Sequence, residues 1–275
     1  MLCNVESGEE YRRNLEGVND ELCERFGWGG ETDKEPVRLY MHVLRKLRQE
    51  RGEKSARGWK MDAPRNFVIF DWDDTILATT ALSDISRATA GHVPSGTQSL
   101  ATQLADLDRT AVEIFEIAKR MGQAMIVTNS SAGWVEDSSR AFYPKLHKYL
   151  LDHNVQIISA RDLYSQTCPD APYRWKSSAF SEVLRGEGGD CLNVTVLGDC
   201  YSDQYAAHAV HRSICDQREI VMKFVKFRVR PTVSLLQKEL GLLTSSLEKI
   251  LNCKSSFDVC ISSSSAEANG LQATF

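Results

Sequence analysis

Acidic residues gather at two points of this chain. Asp71, Asp73 and Asp74 stand within four positions directly after the apolar run 66–70 (NFVIF), and Asp199 and Asp203 follow a second such run, 192–197 (LNVTVL). Carboxylates crowded at strand ends repel one another unless a divalent cation sits among them, and an oxygen donor set favours Mg2+. Between the clusters lie Thr128-Asn129-Ser130, after the apolar run 123–127, and Lys176, at the expected start of a helix. Carboxylates from two strand ends, with a hydroxyl and an ammonium, make a site for a phosphoryl group and its metal. The alternative, a helix cap or turn pair at Asp71 and Asp73, is over-supplied, since a cap needs one carboxylate rather than three. Lys145 and Lys148 compete with Lys176 as the cation; Lys176 is preferred for its place in 175–180 (WKSSAF), just before the strand at 192–197.

The elements that must position these groups follow from periodicity. Short apolar runs at 66–70, 123–127, 155–159, 192–197 and 219–227 read as strands. Helical spacing marks 100–121, with Gly122 as its stop, and helices are expected over 133–151, 175–185 and 202–212. Residues 81–99, rich in Ser, Thr, Gly and Ala, read as a loop or flap. Strands alternating with helices imply βαβ units, a mostly parallel central sheet and a Rossmann-like three-layer α/β sandwich. In such sheets ligands bind beyond the carboxyl ends of the strands, which is where the chemistry-bearing residues fall.

Taken in order, FDWDDTI at 70–76, IVTNS at 126–130, Lys176 and LGDCYSD at 197–203 resemble the four motifs of the haloacid dehalogenase-like (HAD) hydrolase superfamily, over roughly residues 66–227. A finer likeness, carried by 70–77, 128–146, 157–164 and 175–180, is to a branch seen in protists and other lower eukaryotes; it bears on fold and little on substrate. The resemblance implies a Mg2+-dependent phosphatase. In it Asp71 is the nucleophile, forming an aspartyl-phosphate, and Asp73 protonates the leaving oxygen and later activates water. Asp71, the Asp73 backbone carbonyl and Asp199 bind Mg2+, with Asp203 supporting them from behind or reaching the ion through water. Thr128, Asn129 and Lys176 hold the phosphoryl oxygens. The second Asp favours phosphate over dehalogenation chemistry. Neither the stretch between Asp73 and Met125 nor that between Ala160 and Trp175 has room for a full cap domain, so the resemblance implies a minimal cap or none. An open site of this kind suits a macromolecular substrate or a lid from a partner. The substrate is expected to be a phosphoprotein or a phosphometabolite. Two other readings stay open: a non-catalytic scaffold of the same fold, and a phosphotransferase passing the group to an alcohol.

The remaining sequence sets limits. The chain has 275 residues and a net charge of −4, which argues against a general nucleic-acid or membrane-coating protein. No apolar run approaches the roughly 18 residues of a membrane span. Eight cysteines without a CxxC pair, and no visible secretory signal, suit reduced thiols in a cytoplasmic setting. Charge is uneven: residues 1–35 hold ten acidic and four basic residues, and 36–60 hold eight basic and two acidic. Residues 1–60 read as a charged extension with a helix after Pro36, 61–254 as the catalytic domain with its C-terminal helix, and 255–275 as a Ser-rich disordered tail. Leu236, Leu240, Leu243, Leu247 and Ile250 form a stripe that docks on the core or, alternatively, makes a homodimer seam. His208 and His211 read as surface or packed helical residues rather than a metal pair. Lys223, Lys226, Arg228 and Arg230 line the mouth of the site or blunt a solvated edge strand; the edge strand is the preferred reading.

Overall fold

The computed structural model describes residues 65–88, 99–187, 191–261 and 271–272. The charged extension and its expected helix lie outside the described residues. The apolar runs form strands β1 (Arg65–Phe70), β2 (Gln123–Thr128), β3 (Gln156–Ser159), β4 (Cys191–Gly198) and β5 (Glu219–Lys226), joined by β6 (Phe257–Ile261) and the short β7 (Leu271–Gln272). Their order in the sheet is β3-β2-β1-β4-β5-β6-β7. All neighbours from β3 to β6 pair parallel, and β7 runs antiparallel to β6. Helices α1 (Thr79–Ala88), α2 (Leu100–Met121), α3 (Trp134–Phe142), α4 (Pro144–Asp152), α5 (Ala160–Tyr164), α6 (Tyr173–Gly186), α7 (Tyr201–Ile214) and α8 (Val233–Asn252) connect them.

Strand side chains alternate between faces, so β1 supplies both cores. Val68 and Phe70 pack with Phe115 of α2 and with Leu236, Leu240, Leu243 and Leu247 of α8. Phe67 and Ile69 face the opposite way, with Phe180 of α6 and Val210 of α7. Each large apolar side chain so buried contributes roughly 1.5–3 kcal/mol. The α/β, Rossmann-like parallel sheet with helices on both faces is therefore as expected. The leucine stripe of α8 is spent on the core, which removes it as a dimer seam.

Four expectations need correction. The helix at 133–151 is two helices, because Pro144 has no amide hydrogen to continue α3 and its ring forces Tyr143 out of helical geometry, at φ −131 and ψ 66. Asp108 of α2 then caps the new start, accepting from the amides of Lys145 (3.0 Å) and Leu146 (2.8 Å). The loop at 81–99 begins as helix α1, and residues 89–98 lie outside the described residues. β5 is no edge strand: β4 and β6 flank it, and Lys223 is fully buried. The tail is not disordered from 255, since β6 pairs with β5 and buries Val259 and Ile261. Its five residues, FDVCI, alternate too briefly to stand out beside the serines that follow. Among the described residues no helix is long and apolar enough to cross a membrane, and Cys168, Cys191, Cys200 and Cys253 are free thiols.

Candidate functional site

β1, β2 and β3 progress toward one side of the sheet and β4, β5 and β6 toward the other, so the connections part between β1 and β4. That parting opens a crevice beyond the strands' carboxyl ends, the place where ligands of such sheets bind. Asp71 stands on one side of it and Asp199 on the other. The ladder holds Asp71 in place, its amide donating to the Leu197 carbonyl at 2.9 Å. After Asp71 the chain winds into one tight turn in which the amides of Ile76 (2.9 Å) and Leu77 (3.0 Å) share the Trp72 carbonyl. Asp74 takes a left-handed φ of 54 there, and its carboxylate is tied to the amide (2.9 Å) and hydroxyl (2.5 Å) of Thr80. Trp72, fully buried, donates its indole N–H to Ser138 Oγ at 2.9 Å and pins this turn against α3.

The sheet and helices bring Asp71, Lys176, Asp199 and Asp203 together. Lys176, buried on α6, places Nζ 2.6 Å from Asp71 Oδ1 and 2.5 Å from Asp203 Oδ1. Asp203, in the first turn of α7, also accepts from the Cys200 thiol at 2.8 Å and the Cys200 amide at 3.3 Å. The glycine before Asp199 makes this fit. A Cβ on Gly198 would stand 2.4 Å from Asp203 Cγ and 2.6 Å from its Cβ.

Three buried carboxylates share one ammonium, and the electrostatics follow from that. Burial raises Asp71 to about 8, helped by the Asp203 charge and opposed by Lys176. Asp199 is raised well above the ordinary carboxylate range, first by burial and then by Asp71 and Asp203. Burial opposes the charge on Lys176, but Asp203 and Asp71 more than offset it and hold the ammonium protonated. The Cys200 thiol is pushed well up by burial and by Asp203, which keeps it a donor rather than a thiolate.

This donor set fits a hard divalent cation. The Asp199 carboxylate has no hydrogen-bond donor among the described residues although the residue is only 8% exposed, and added positive charge would relieve its repulsion from Asp71. Atoms of Asp199, Cys200 and Asp203 lie within 4.8 Å of one another. Asp203 is the least available of the three, because Lys176 and Cys200 already engage both of its oxygens.

Asp73 belongs to a different neighbourhood. Its Oδ1 accepts from Thr79 Oγ1 (2.7 Å) and from the Trp134 indole N–H (2.8 Å), and its Oδ2 from Ser130 Oγ (2.6 Å). The Thr128 hydroxyl is a looser fourth contact at 3.5 Å and itself accepts from the Ser130 amide at 3.0 Å. Thr128 thus faces Asp73 rather than Lys176. Asn129 is buried beside it with Oδ1 unpartnered.

Sequence reading set Ser130 in the site without a role and gave none to Thr79, Trp134 or Cys200, which also hold Asp73 or Asp203. Ser130 had a signal, being third in the polar run at the end of β2. Thr79 and Trp134 had none, since only the folded turn and the start of α3 carry them to Asp73. The Lys/Arg strip divides: Lys223 lies away from the crevice, whereas Lys226 Nζ donates to the Asp199 carbonyl at 3.2 Å. His208 is a packed helical residue, its Nε2 3.0 Å from Asp258 of β6. Set against protein-family models, curated proteins and solved structures, the chain finds no match in any of the three.

Proposed function

We propose that the protein is a Mg2+-dependent phosphoric monoester hydrolase that works through an aspartyl-phosphate on Asp71. The observation that carries this reading is the buried bridge from Asp71 through Lys176 to Asp203, with Asp199 alongside, at the parting of a parallel sheet. The likeness of the four motifs to HAD hydrolases supports it, and so does the short polypeptide between β3 and β4, which holds only α5 and a run of turns before α6.

In this reading Lys176 holds Asp71 Oδ1 and orients the other carboxylate oxygen for attack on phosphorus. The new bond joins that oxygen to phosphorus, and the bond to the ester oxygen breaks. Asp73 delivers a proton to the departing oxygen. Asp73 then takes a proton from a water that attacks the phosphoryl group, releasing inorganic phosphate and restoring Asp71. Lys176, Thr128 and Asn129 neutralise or bind the phosphoryl oxygens as charge moves onto them. Asp71 and Asp199 would hold the metal, with Asp203 and Asp73 beside them. When bound, the cation shields the nucleophile from the phosphate's own negative charge.

The test is hydrolysis of para-nitrophenyl phosphate by the full chain, with Mg2+ and after chelation. Chelation abolishes the activity, Asp71→Asn removes it, and Asp73→Asn lowers it about 10²- to 10⁴-fold. Full activity in Asp71→Ala would mean the nucleophile is wrong.

A further inference from the structure

We infer that the loop after β5 is an anion-reading lip, and that the physiological ester carries a second negatively charged group on its leaving side. The inference rests on the hydrolase reading, whose substrate class it narrows.

The loop leaves β5 at Lys226 and turns back into α8 at Val233. Its first amide, that of Phe227, donates to the Gly198 carbonyl at 2.9 Å, so the backbone sits directly against the β4 end of the crevice. Lys226 Nζ bonds the Asp199 carbonyl at 3.2 Å and lies 5.1 Å from the centre of the Tyr201 ring. Beyond it Arg228, Val229 and Arg230 are all exposed. Neither arginine makes a salt bridge among the described residues, and Arg230 lies within electrostatic reach of Asp74 in the turn after β1. The lip therefore carries three cations, of which Lys226 stands against Asp199 and Arg230 lies within electrostatic reach of Asp74. Glu239, buried in α8 within reach of Lys226 and Arg228, is raised to about 7 by burial and offsets only part of their charge.

Two further observations favour a ligand here. Arg230 holds a left-handed φ of 52, a conformation costly for a long side chain and one that concentrates at functional sites. The opposite lip, residues 129–134 (NSSAGW), has no charged side chain at all. A phosphoryl group seated at Asp71 and Lys176 meets its own cation in the crevice. Surplus positive charge on one lip only is suited to a second anion beside it, such as a carboxylate or another phosphate.

Matched esters that differ by one carboxylate test this: glycerol 3-phosphate against 3-phosphoglycerate, and glucitol 6-phosphate against 6-phosphogluconate for a longer span. The readout is the ratio of kcat/KM within each pair, so a general loss of activity cancels. Wild type is expected to favour the carboxylate partner of at least one pair by about five- to tenfold at low salt. The combined Arg228→Gln and Arg230→Gln variant brings the ratio toward one, Lys at both positions retains it, and added salt shrinks it. A wild-type ratio near one in both pairs, or a ratio unmoved by the Gln variant, overturns the lip while leaving the hydrolase standing. If no ester is turned over, calorimetric affinities for the same pairs decide the matter. Discrimination lost in the Gln variant upholds the lip and counts against the hydrolase; equal affinities, or no binding, overturn the lip.

Discussion

Asp71 and Asp73 stand two residues apart yet meet unlike surroundings. Asp71 is buried against a lysine and two further acids, whereas Asp73 is held by two hydroxyls and an indole N–H. Hydroxyls can donate or accept, so Ser130 and Thr79 can turn to serve Asp73 with or without a proton, which suits the acid-then-base role proposed for it. Trp134 can only donate and sets the orientation. Gly198 is a tightly constrained position of the cluster. Its missing Cβ is the space that Asp203 fills, and Asp203 cannot swing aside without abandoning Lys176 and Cys200. Gly198→Ala is therefore expected to lose about 1–3 kcal/mol in chemical denaturation, as overpacked sites do. The phosphatase turnover proposed above should fall about 10²-fold with it, the usual cost of a displaced positioning group. Retained activity would mean that Asp203 is not needed where it stands.

At the scale of elements, helix ends explain the buried polar groups on the α8 face of the sheet. The last carbonyls of a helix have no partner within it. In α8 those of Ile250 and Leu251 are met by Lys223 Nζ at 2.6 and 3.1 Å, and Leu251 also by Asn193 at 2.7 Å. Sequence reading set Lys223 with the other cations of its strand because a lysine in a β pattern is usually solvated; the dipole and carbonyls of a helix 27 residues further on draw it inward. Burial lowers Lys223 to about 8, against 10.5 ordinarily. Between these values the unfolded chain binds the proton more tightly, so this group's contribution to stability rises as pH increases from about 8 to 10.5 and is flat below. Compared with Lys223→Met, wild type should gain on the order of 1–3 kcal/mol across that window in urea unfolding. A difference independent of pH would show that Lys223 keeps its ordinary ionisation. Gly122 is a second junction, where a Cβ would stand 2.3 Å from the Asn66 carbonyl and prise β1 from the end of α2.

For the molecule as a whole, the consequential correction is where the folded unit ends. A domain closing at residue 254 would leave β5 as an edge; instead β6 covers it, and Asp258 ties α7 to the new strand through Gln204 (2.7 Å) and His208 (3.0 Å). A chain stopped after Lys254 loses the burial of Val259 and Ile261, worth roughly 3–6 kcal/mol together. It also opens the backbone of β5 to pairing with other chains. Such a protein should melt well below the full chain and aggregate, as read by thermal denaturation with light scattering. An unchanged melt would restore the shorter boundary.

The alternation of β1 to β5 with helices, the parallel sheet, the placing of Asp71, Asp73, Asp199 and Thr128 at or just after strand ends and that of Lys176 at a helix start were determined by local sequence. Apolar runs and helical spacing are short-range signals, and the rule that ligands meet strand ends turns them into a site. Tertiary structure alone decided which groups face which. Trp134 and Thr79 reach Asp73, Lys176 bridges Asp71 to Asp203, Lys223 caps a distant helix and Arg230 comes within electrostatic reach of Asp74. Each of these pairings is set by the turns and crossings of separate elements, and a side chain's partner across such a crossing leaves no periodicity in the chain. The strand at 257–261 lies between these cases: its residues are apolar enough to pair, but only the open edge of β5 selects them.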